Sequence, residues 1–187
     1  MHILIVYGTK EGQTAAIAGR MSQIIRNQKH QVTTYSVKEI PTTFSTDTFD
    51  AAMVGGSIHV GAYPAQLRTF VTRHHDWLNS VPSGFFTVCM AVHSQYPAER
   101  EAAKTYGSRF FDATQWHPQL TETFAGAVKY TQYNFITRYI MKMITKREGG
   151  STDTTHDHEY TDWDAVARFT HQFLETITQR EKARTTS

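Results

Sequence analysis

The sequence predicts an α/β fold in which a doubly wound, five-stranded parallel sheet carries helices on both faces. Short β-branched or apolar runs alternate with stretches of helical periodicity along most of the chain. The first run, residues 3–7, is continuously apolar, which is typical of a strand that is covered on both faces. Because parallel crossovers are right-handed and need a covering element, this alternation favours a parallel sheet between two helical layers.

The predicted strands are short segments that are rich in β-branched or aromatic residues. The segment between the second and third strands, residues 38–48, is polar with one proline and predicts a poor helix or a loop. The five predicted strands cover residues 3–7, 32–37, 49–54, 83–92 and 123–128.

The helices are predicted from apolar residues at spacings of three and four. The first follows the loop after strand one and continues to about residue 28. Pro64 lies near the start of the second helix and Pro82 ends it. The third covers residues 97–111, and a capping-box pattern at residues 161–164 predicts the start of the last helix.

Composition indicates one compact domain, predicted as residues 1–178, followed by a polar tail, residues 179–187. The chain has 187 residues, of which 40% are hydrophobic, enough for one core. Its 19 basic residues nearly balance 17 acidic ones, so no nucleic-acid partner is expected. The single cysteine, Cys89, and the lack of a signal peptide or transmembrane segment favour a cytoplasmic protein. The sequence leaves the oligomeric state open, a homo-oligomer included.

Ligands of doubly wound sheets bind at the carboxyl ends of the strands, so the loops after strands one, three and four are the candidate site. The first loop, residues 9–14, places small and hydroxyl residues before a helix N-terminus, where backbone N–H groups bind phosphate. Thr9 and Thr14 offer hydroxyl donors, Gln13 an amide, and Gly12 close approach of the backbone. The triphosphate and dinucleotide glycine motifs are missing, so a monophosphate is favoured over ATP or a dinucleotide, and an ordinary βα turn is the alternative.

The second and third loops have the composition of a ring-binding site. Residues 55–63 contain three glycines and a serine, and His59 or Tyr63 offers a face on which a flat ring can stack. Residues 91–96 follow the fourth strand, and an ordinary turn is the alternative interpretation of both loops.

Six short motifs are spread over most of the chain: GQT at 12–14, GGSI at 55–58, FAGA at 124–127, MKM at 141–143, GGSTDT at 149–154 and YTDW at 160–163. With these motifs the chain resembles the menaquinone-dependent protoporphyrinogen IX dehydrogenases, a family of flavodoxin-like proteins. The first loop also resembles the flavodoxin phosphate loop, although Glu11 stands where a hydroxyl residue is usual.

The resemblance implies strand order 2-1-3-4-5, an FMN cofactor, and oxidation of protoporphyrinogen IX with menaquinone or ubiquinone as the acceptor. A flavodoxin-type electron carrier and an NAD(P)H-dependent quinone reductase are the alternatives. The cofactor-binding residues that it implies are Thr9, Lys10, Glu11, Gly12, Gln13, Thr14, Gly56, Ser57, Ile58, His59, Val60, Gly61, Ala91, Val92 and His93.

A long insertion, residues 129–160, is predicted between the fifth strand and the last helix. It contains an amphipathic helix whose apolar side can pack on the domain or lie on the inner face of the cell membrane as a peripheral contact. Its cations can alternatively bind the propionates of a porphyrin. These cations are Arg138, Lys142, Lys146 and Arg147.

Two further features of the sequence carry no predicted chemistry. His156, Asp157 and His158 lie on a polar loop without further ligands in view, so a solvated loop is favoured over a metal site. Cys89 is placed inside an apolar strand, where a thiol is inert.

Overall fold

Five parallel strands form the central sheet of the computed structural model, which describes residues 1–93, 97–128, 145, 153 and 158–185. Their order is β2-β1-β3-β4-β5, as predicted. The strands are β1 (His2–Gly8), β2 (Gln31–Ser36), β3 (Ala51–Ser57), β4 (Ser83–Val88) and β5 (Leu120–Phe124).

Helices cover both faces of this sheet. Alternate residues of β1 point to opposite sides, so Ile5 belongs to one buried cluster and Leu4 to the other. The first cluster packs under α1 (Gln13–Asn27) and α4 (Trp163–Thr185), and the second under α2 (Ala65–Ser80) and α3 (Pro97–Thr114). The predicted α/β fold class is therefore confirmed.

The predicted ends of strands four and five were wrong. β4 ends at Val88, and a 3₁₀ turn, Met90–His93, follows it, so Cys89 is buried just beyond the strand and not inside it. β5 begins at Leu120, earlier than predicted. The prediction missed this start because an edge strand with exposed polar residues lacks the apolar signal of a central strand. Ala127–Val128 is instead β6, which pairs antiparallel with β7 (His158–Glu159).

The last helix also differs from its prediction at both ends. Its N-cap is Asp162, whose Oδ1 accepts the N–H groups of Asp164 and Ala165 at 2.9 Å, so the capping-box interpretation with Thr161 as the cap was wrong. α4 continues beyond residue 178 to Thr185, because residues 179–185 are mostly good helix formers. The polar segment is thus helical as far as Thr185.

Most of the predicted insertion lies outside the described residues, including the cations Arg138, Lys142, Lys146 and Arg147. β6 directly precedes the insertion, and β7 lies near its C-terminal end. Across the parts of the chain that the structure describes, no helix combines the length and the apolar character that crossing a membrane requires.

Candidate functional site

A cavity of about 420 Å³ opens at the carboxyl ends of β1, β3 and β4. The loops after these strands form its walls, and α3, β6 and the insertion each contribute to them. Its position is the one expected for a ligand site in a doubly wound sheet. It is lined by Thr9, Lys10, Glu11, Gln13, Thr14, Ser57, Ile58, His59, Val60, Gly61, Val88, Cys89, Met90, Ala91, Tyr106, Gly126, Ala127 and Thr145.

The N-terminus of α1 forms one wall of the cavity. Gly12 is its N-cap residue, with φ 90°, a conformation that glycine adopts without a steric penalty. The N–H of Gly12 donates to Thr9 Oγ1 at 3.0 Å, which closes the loop. The first turn holds no acidic residue, and N–H groups of a first turn have no intrahelical acceptor, so this end of the helix suits an anion.

Among the residues that the structure describes, three buried hydroxyl groups that line the cavity have no hydrogen-bond partner: Thr14 Oγ1, Ser57 Oγ and Thr145 Oγ1. Thr14 is 0% exposed and Ser57 8%. A buried hydroxyl without a partner costs about 1–3 kcal/mol, so such groups call for an explanation. Thr14 and Ser57 were both predicted to bind the cofactor, and these unpaired hydroxyls fit polar atoms of a ligand in the cavity.

A tight turn, residues 59–62, forms the rim of the cavity. The N–H of His59 donates to the carbonyl of Ala62 at 2.9 Å, and the N–H of Ala62 donates back at 3.1 Å. Val60 and Gly61 have φ values of 49° and 75°, and Val60 is fully exposed. A β-branched residue rarely adopts this backbone conformation, and strain of this kind concentrates at functional sites.

The imidazole of His59 is kept neutral by its surroundings. Burial lowers the pKa of His59 below its ordinary value of 6.5; nearby Glu11 acts to raise it and Lys10 to lower it. At neutral pH one ring nitrogen of His59 therefore carries an N–H donor and the other is a hydrogen-bond acceptor.

Gln13 lines the cavity, and its side-chain amide joins distant parts of the chain. Its Nε2 donates to Glu159 Oε1 and to Thr161 Oγ1, both at 2.8 Å, and the Thr161 hydroxyl donates to the carbonyl of Ala125 at 2.9 Å. The two amide hydrogens are thus used within the protein, so the predicted donation from the Gln13 amide to a phosphate does not fit this arrangement.

Tyr63 and Gly56 belong to the core and not to the cavity. The Tyr63 ring packs against Phe85 and Phe110, its hydroxyl lies 2.7 Å from Thr87 Oγ1, and burial raises its pKa. A Cβ on Gly56 would lie 2.8 Å from the Tyr63 ring, so this glycine serves close packing. The predicted stacking role of Tyr63 was wrong for this reason.

The structure brings most of the predicted cofactor residues to one cavity, and their role stays a prediction. Tyr106 of α3, which was not predicted to belong to the site, is half-buried beside Gly61 at the cavity wall. The contribution of Thr145 to the cavity was not predicted either. Of the predicted residues whose side chains the structure describes, those that do not line the cavity are Gly12, Gly56 and Val92, and the side chain of His93 lies outside that description.

Among the described residues, no group of three or more His, Cys, Asp or Glu side chains is arranged to hold a metal ion. Nε2 of His158 lies 2.8 Å from the carbonyl oxygen of Asp153. His156 and Asp157 lie outside the described residues.

Comparison with solved structures shows the fold. Flavodoxin 1 from Bacillus cereus aligns with a TM-score of 0.57 at 12% identity, covering 94% of this chain and 98% of that one. A flavodoxin from the domain Archaea aligns with a TM-score of 0.53 at 14% identity, covering 95% of this chain and 99% of that one.

Sequence comparison shows the family. A flavodoxin-domain family model matches residues 4–155. The curated protein "Protoporphyrinogen IX dehydrogenase [quinone]" of Escherichia coli (strain K12) is 33% identical over 170 residues, which cover 90% of this chain and 92% of that protein. The chain belongs to the protoporphyrinogen IX dehydrogenase [quinone] family. A second member of that family, from Leishmania major, is 33% identical over 173 residues, covering 91% of this chain and 73% of the relative.

Membership of the protoporphyrinogen IX dehydrogenase [quinone] family confirms the resemblance that the six sequence motifs predicted. The family alignment covers nearly the whole chain, so it includes the segments that flank the cavity and not the sheet alone.

Proposed function

We propose that this protein binds FMN in the cavity at the carboxyl ends of β1, β3 and β4 and oxidises protoporphyrinogen IX with a respiratory quinone as the acceptor. The observation that carries the proposal is the convergence of unpaired buried hydroxyls with the uncapped N-terminus of α1. Family membership supports the reaction and its two substrates.

The residues around the N-terminus of α1 fit the phosphate group of FMN. Backbone N–H groups of the first turn are donors there, and the helix dipole favours the negative charge. The buried hydroxyl of Thr14 has no other partner, and Lys10 adds a positive charge at the rim. Glu11 lines the same rim, so its carboxylate must point away from the phosphate.

The remaining walls fit the ring system of FMN. The turn at residues 59–62 and the segment from Val88 to Ala91 line the same cavity, and most of that lining is apolar or backbone. Ser57 offers an unpaired hydroxyl to a polar atom of the ring. A volume of about 420 Å³ lies within the range of pockets for ligands of this size.

Bound FMN would supply the redox chemistry by accepting an electron pair from the porphyrinogen and passing it to the quinone. The chain positions the ring and provides a proton acceptor. His59 is neutral at pH 7 and lines the cavity, so its unprotonated ring nitrogen is our candidate base. Three successive two-electron oxidations convert the porphyrinogen to protoporphyrin IX.

The insertion is our candidate for substrate and membrane contact. Arg138, Lys142, Lys146 and Arg147 give one segment a basic side that suits the propionates of a porphyrin or anionic lipid headgroups. Because a lipid-soluble quinone, menaquinone or ubiquinone, resides in the membrane, we place the protein at its inner surface, by peripheral contact.

The decisive experiment is anaerobic reduction of the FMN-loaded protein. We expect protoporphyrinogen IX to bleach the flavin absorbance rapidly and a menaquinone analogue to restore it. Rapid bleaching by NADPH but none by the porphyrinogen would instead identify an NAD(P)H-dependent quinone reductase. A folded chain that takes up no FMN would refute the proposal as a whole.

A further inference from the structure

We infer that the hydroxyl group of Thr145, within the insertion, is a direct hydrogen-bond donor to FMN. This inference rests on the proposed function and adds a cofactor contact from outside the three strand-end loops. Thr145 is 1% exposed, its Oγ1 has no hydrogen-bond partner, and it lines the same cavity as Thr14 and Ser57.

Two buried threonines that lie beyond the first turn of a helix satisfy their own hydroxyls by bonding to the preceding turn, which Thr14, in the first turn of α1, does not. Thr114 Oγ1 donates to the carbonyl of Phe110 at 2.8 Å, and Thr170 Oγ1 donates to that of Val166 at 2.7 Å. Thr145 also has helical backbone, and among the described residues its hydroxyl has no hydrogen-bond partner. The group is therefore held buried and unused, which is the state expected of a donor that awaits a ligand atom.

The location separates Thr145 from other unpaired hydroxyls. Ser22 Oγ and Thr34 Oγ1 are also buried without partners, but both lie along a groove beside α1 and not in the cavity. Of the described residues that line the cavity, three carry unpaired buried hydroxyls: Thr14 and Thr145 besides Ser57. Ser57 is the last residue of β3 and Thr14 lies in the first turn of α1, whereas Thr145 comes from the insertion. The insertion thus reaches the wall of the cofactor cavity itself.

A hydroxyl in contact with the ligand and a hydroxyl that merely fills space respond differently to removal. Thr145→Val keeps the shape and removes the donor, so it relieves the ligand-free protein of an unpaired buried group and deprives the FMN-bound protein of a hydrogen bond. We therefore expect a ligand-free melting temperature equal to or above that of the wild type. We expect the dissociation constant for FMN to rise about three- to tenfold.

The test uses the full chain and measures FMN affinity by quenching of flavin fluorescence, with thermal melts of the ligand-free and FMN-loaded protein. Thr145→Ser retains the hydroxyl and should bind FMN like the wild type. Thr34→Val, which removes an unpaired hydroxyl outside the cavity, should also leave FMN affinity unchanged.

Three results would overturn the inference. The first is an unchanged FMN affinity of Thr145→Val. If the KM for the porphyrinogen rises while the FMN affinity stays unchanged, the hydroxyl contacts the substrate and not FMN. The second is an equal loss of affinity in Thr34→Val. The third is a wild-type chain that binds no FMN, a result that is distinguishable because it removes the proposed function at the same time.

Discussion

Nε2 of Gln13 donates a hydrogen bond to Thr161 Oγ1 at 2.8 Å, although the two residues are 148 positions apart in sequence. Gln13 is the first residue of α1, and Thr161 directly precedes the N-cap residue of α4. The Thr161 hydroxyl in turn donates a hydrogen bond to the carbonyl of Ala125, which lies between β5 and β6. The candidate phosphate-binding loop is therefore fixed in place by the last helix and by the segment that leads into the insertion.

Replacing Gln13 with alanine should loosen this connection. Because two hydrogen bonds at a partly exposed position are lost, we expect the free energy of unfolding to fall by about 1 kcal/mol, with a weaker affinity for FMN. Urea unfolding and fluorescence titration measure the two effects. Gln23→Ala, on the exposed side of the same helix, is the control and should change neither quantity. Equal behaviour of the two variants would contradict the prediction.

Thr14→Val should separate cofactor binding from stability. Its hydroxyl is buried and unpaired in the ligand-free protein, so a methyl group of the same shape should not destabilise the fold. A hydrogen bond to a charged phosphate contributes about 1.5–3 kcal/mol, so FMN should bind at least about tenfold more weakly. Riboflavin, which lacks the phosphate, should bind both proteins equally, and a loss of riboflavin affinity would argue against a phosphate contact.

The burial of His59 makes stability depend on pH. Burial lowers the pKa of the folded imidazole, so below about pH 6.5 the unfolded chain takes up a proton that the folded chain resists, and stability falls as pH falls. His59→Gln should therefore lose less stability than the wild type between pH 7 and pH 5. Its unfolding free energy at pH 8, where the imidazole is neutral in both states, is the reference. The pKa of His74 is also lowered by burial, so part of the pH dependence of stability should remain in His59→Gln. An identical pH dependence in the variant and the wild type would contradict the prediction.

Val60 should be replaceable with a gain in stability. Its φ of 49° strains a β-branched residue, and its fully exposed side chain contributes nothing to the core. Asparagine tolerates this conformation, so we expect Val60→Asn to raise the free energy of unfolding by about 1 kcal/mol in urea unfolding. A lower porphyrinogen turnover in this more stable variant would indicate that the exposed valine serves the substrate. An unchanged or lower stability would show that the turn is not strained.

Two glycines offer a matched pair for the packing of the sheet. A Cβ on Gly55 would collide with the ring of Phe86, whereas a Cβ on Gly19 meets nothing within 4 Å. We expect Gly55→Ala to destabilise the fold by about 3 kcal/mol and Gly19→Ala, in the exposed part of α1, to stabilise it by about 0.5–1 kcal/mol. Opposite shifts in melting temperature would bear this out, and shifts of the same sign would contradict it.

The sheet was predictable because its signal is local. The apolar run of β1 and the helical spacing of Ile17 and Met21 are each visible in a few neighbouring residues, and both are buried as expected. β5 was misplaced because an edge strand is half exposed and its residues Thr121 and Glu122 carry no apolar pattern.

The candidate site was predictable in position but not in detail. Strand-end loops must meet at one edge of a parallel sheet, which placed the loops around Thr14 and Ser57 together. The role of Gln13 depends on partners that are distant in sequence, and no local pattern reveals them. Tyr63 was misassigned because an aromatic residue after a glycine-rich strand end can turn to the core as readily as to the ligand.

The pairing of Val128 with His158 brings the departure and return points of the insertion side by side. The entropy lost on closing a loop grows slowly with its length once the ends are pinned. Insertions of different length should therefore attach at this same junction with little change in the stability of the sheet.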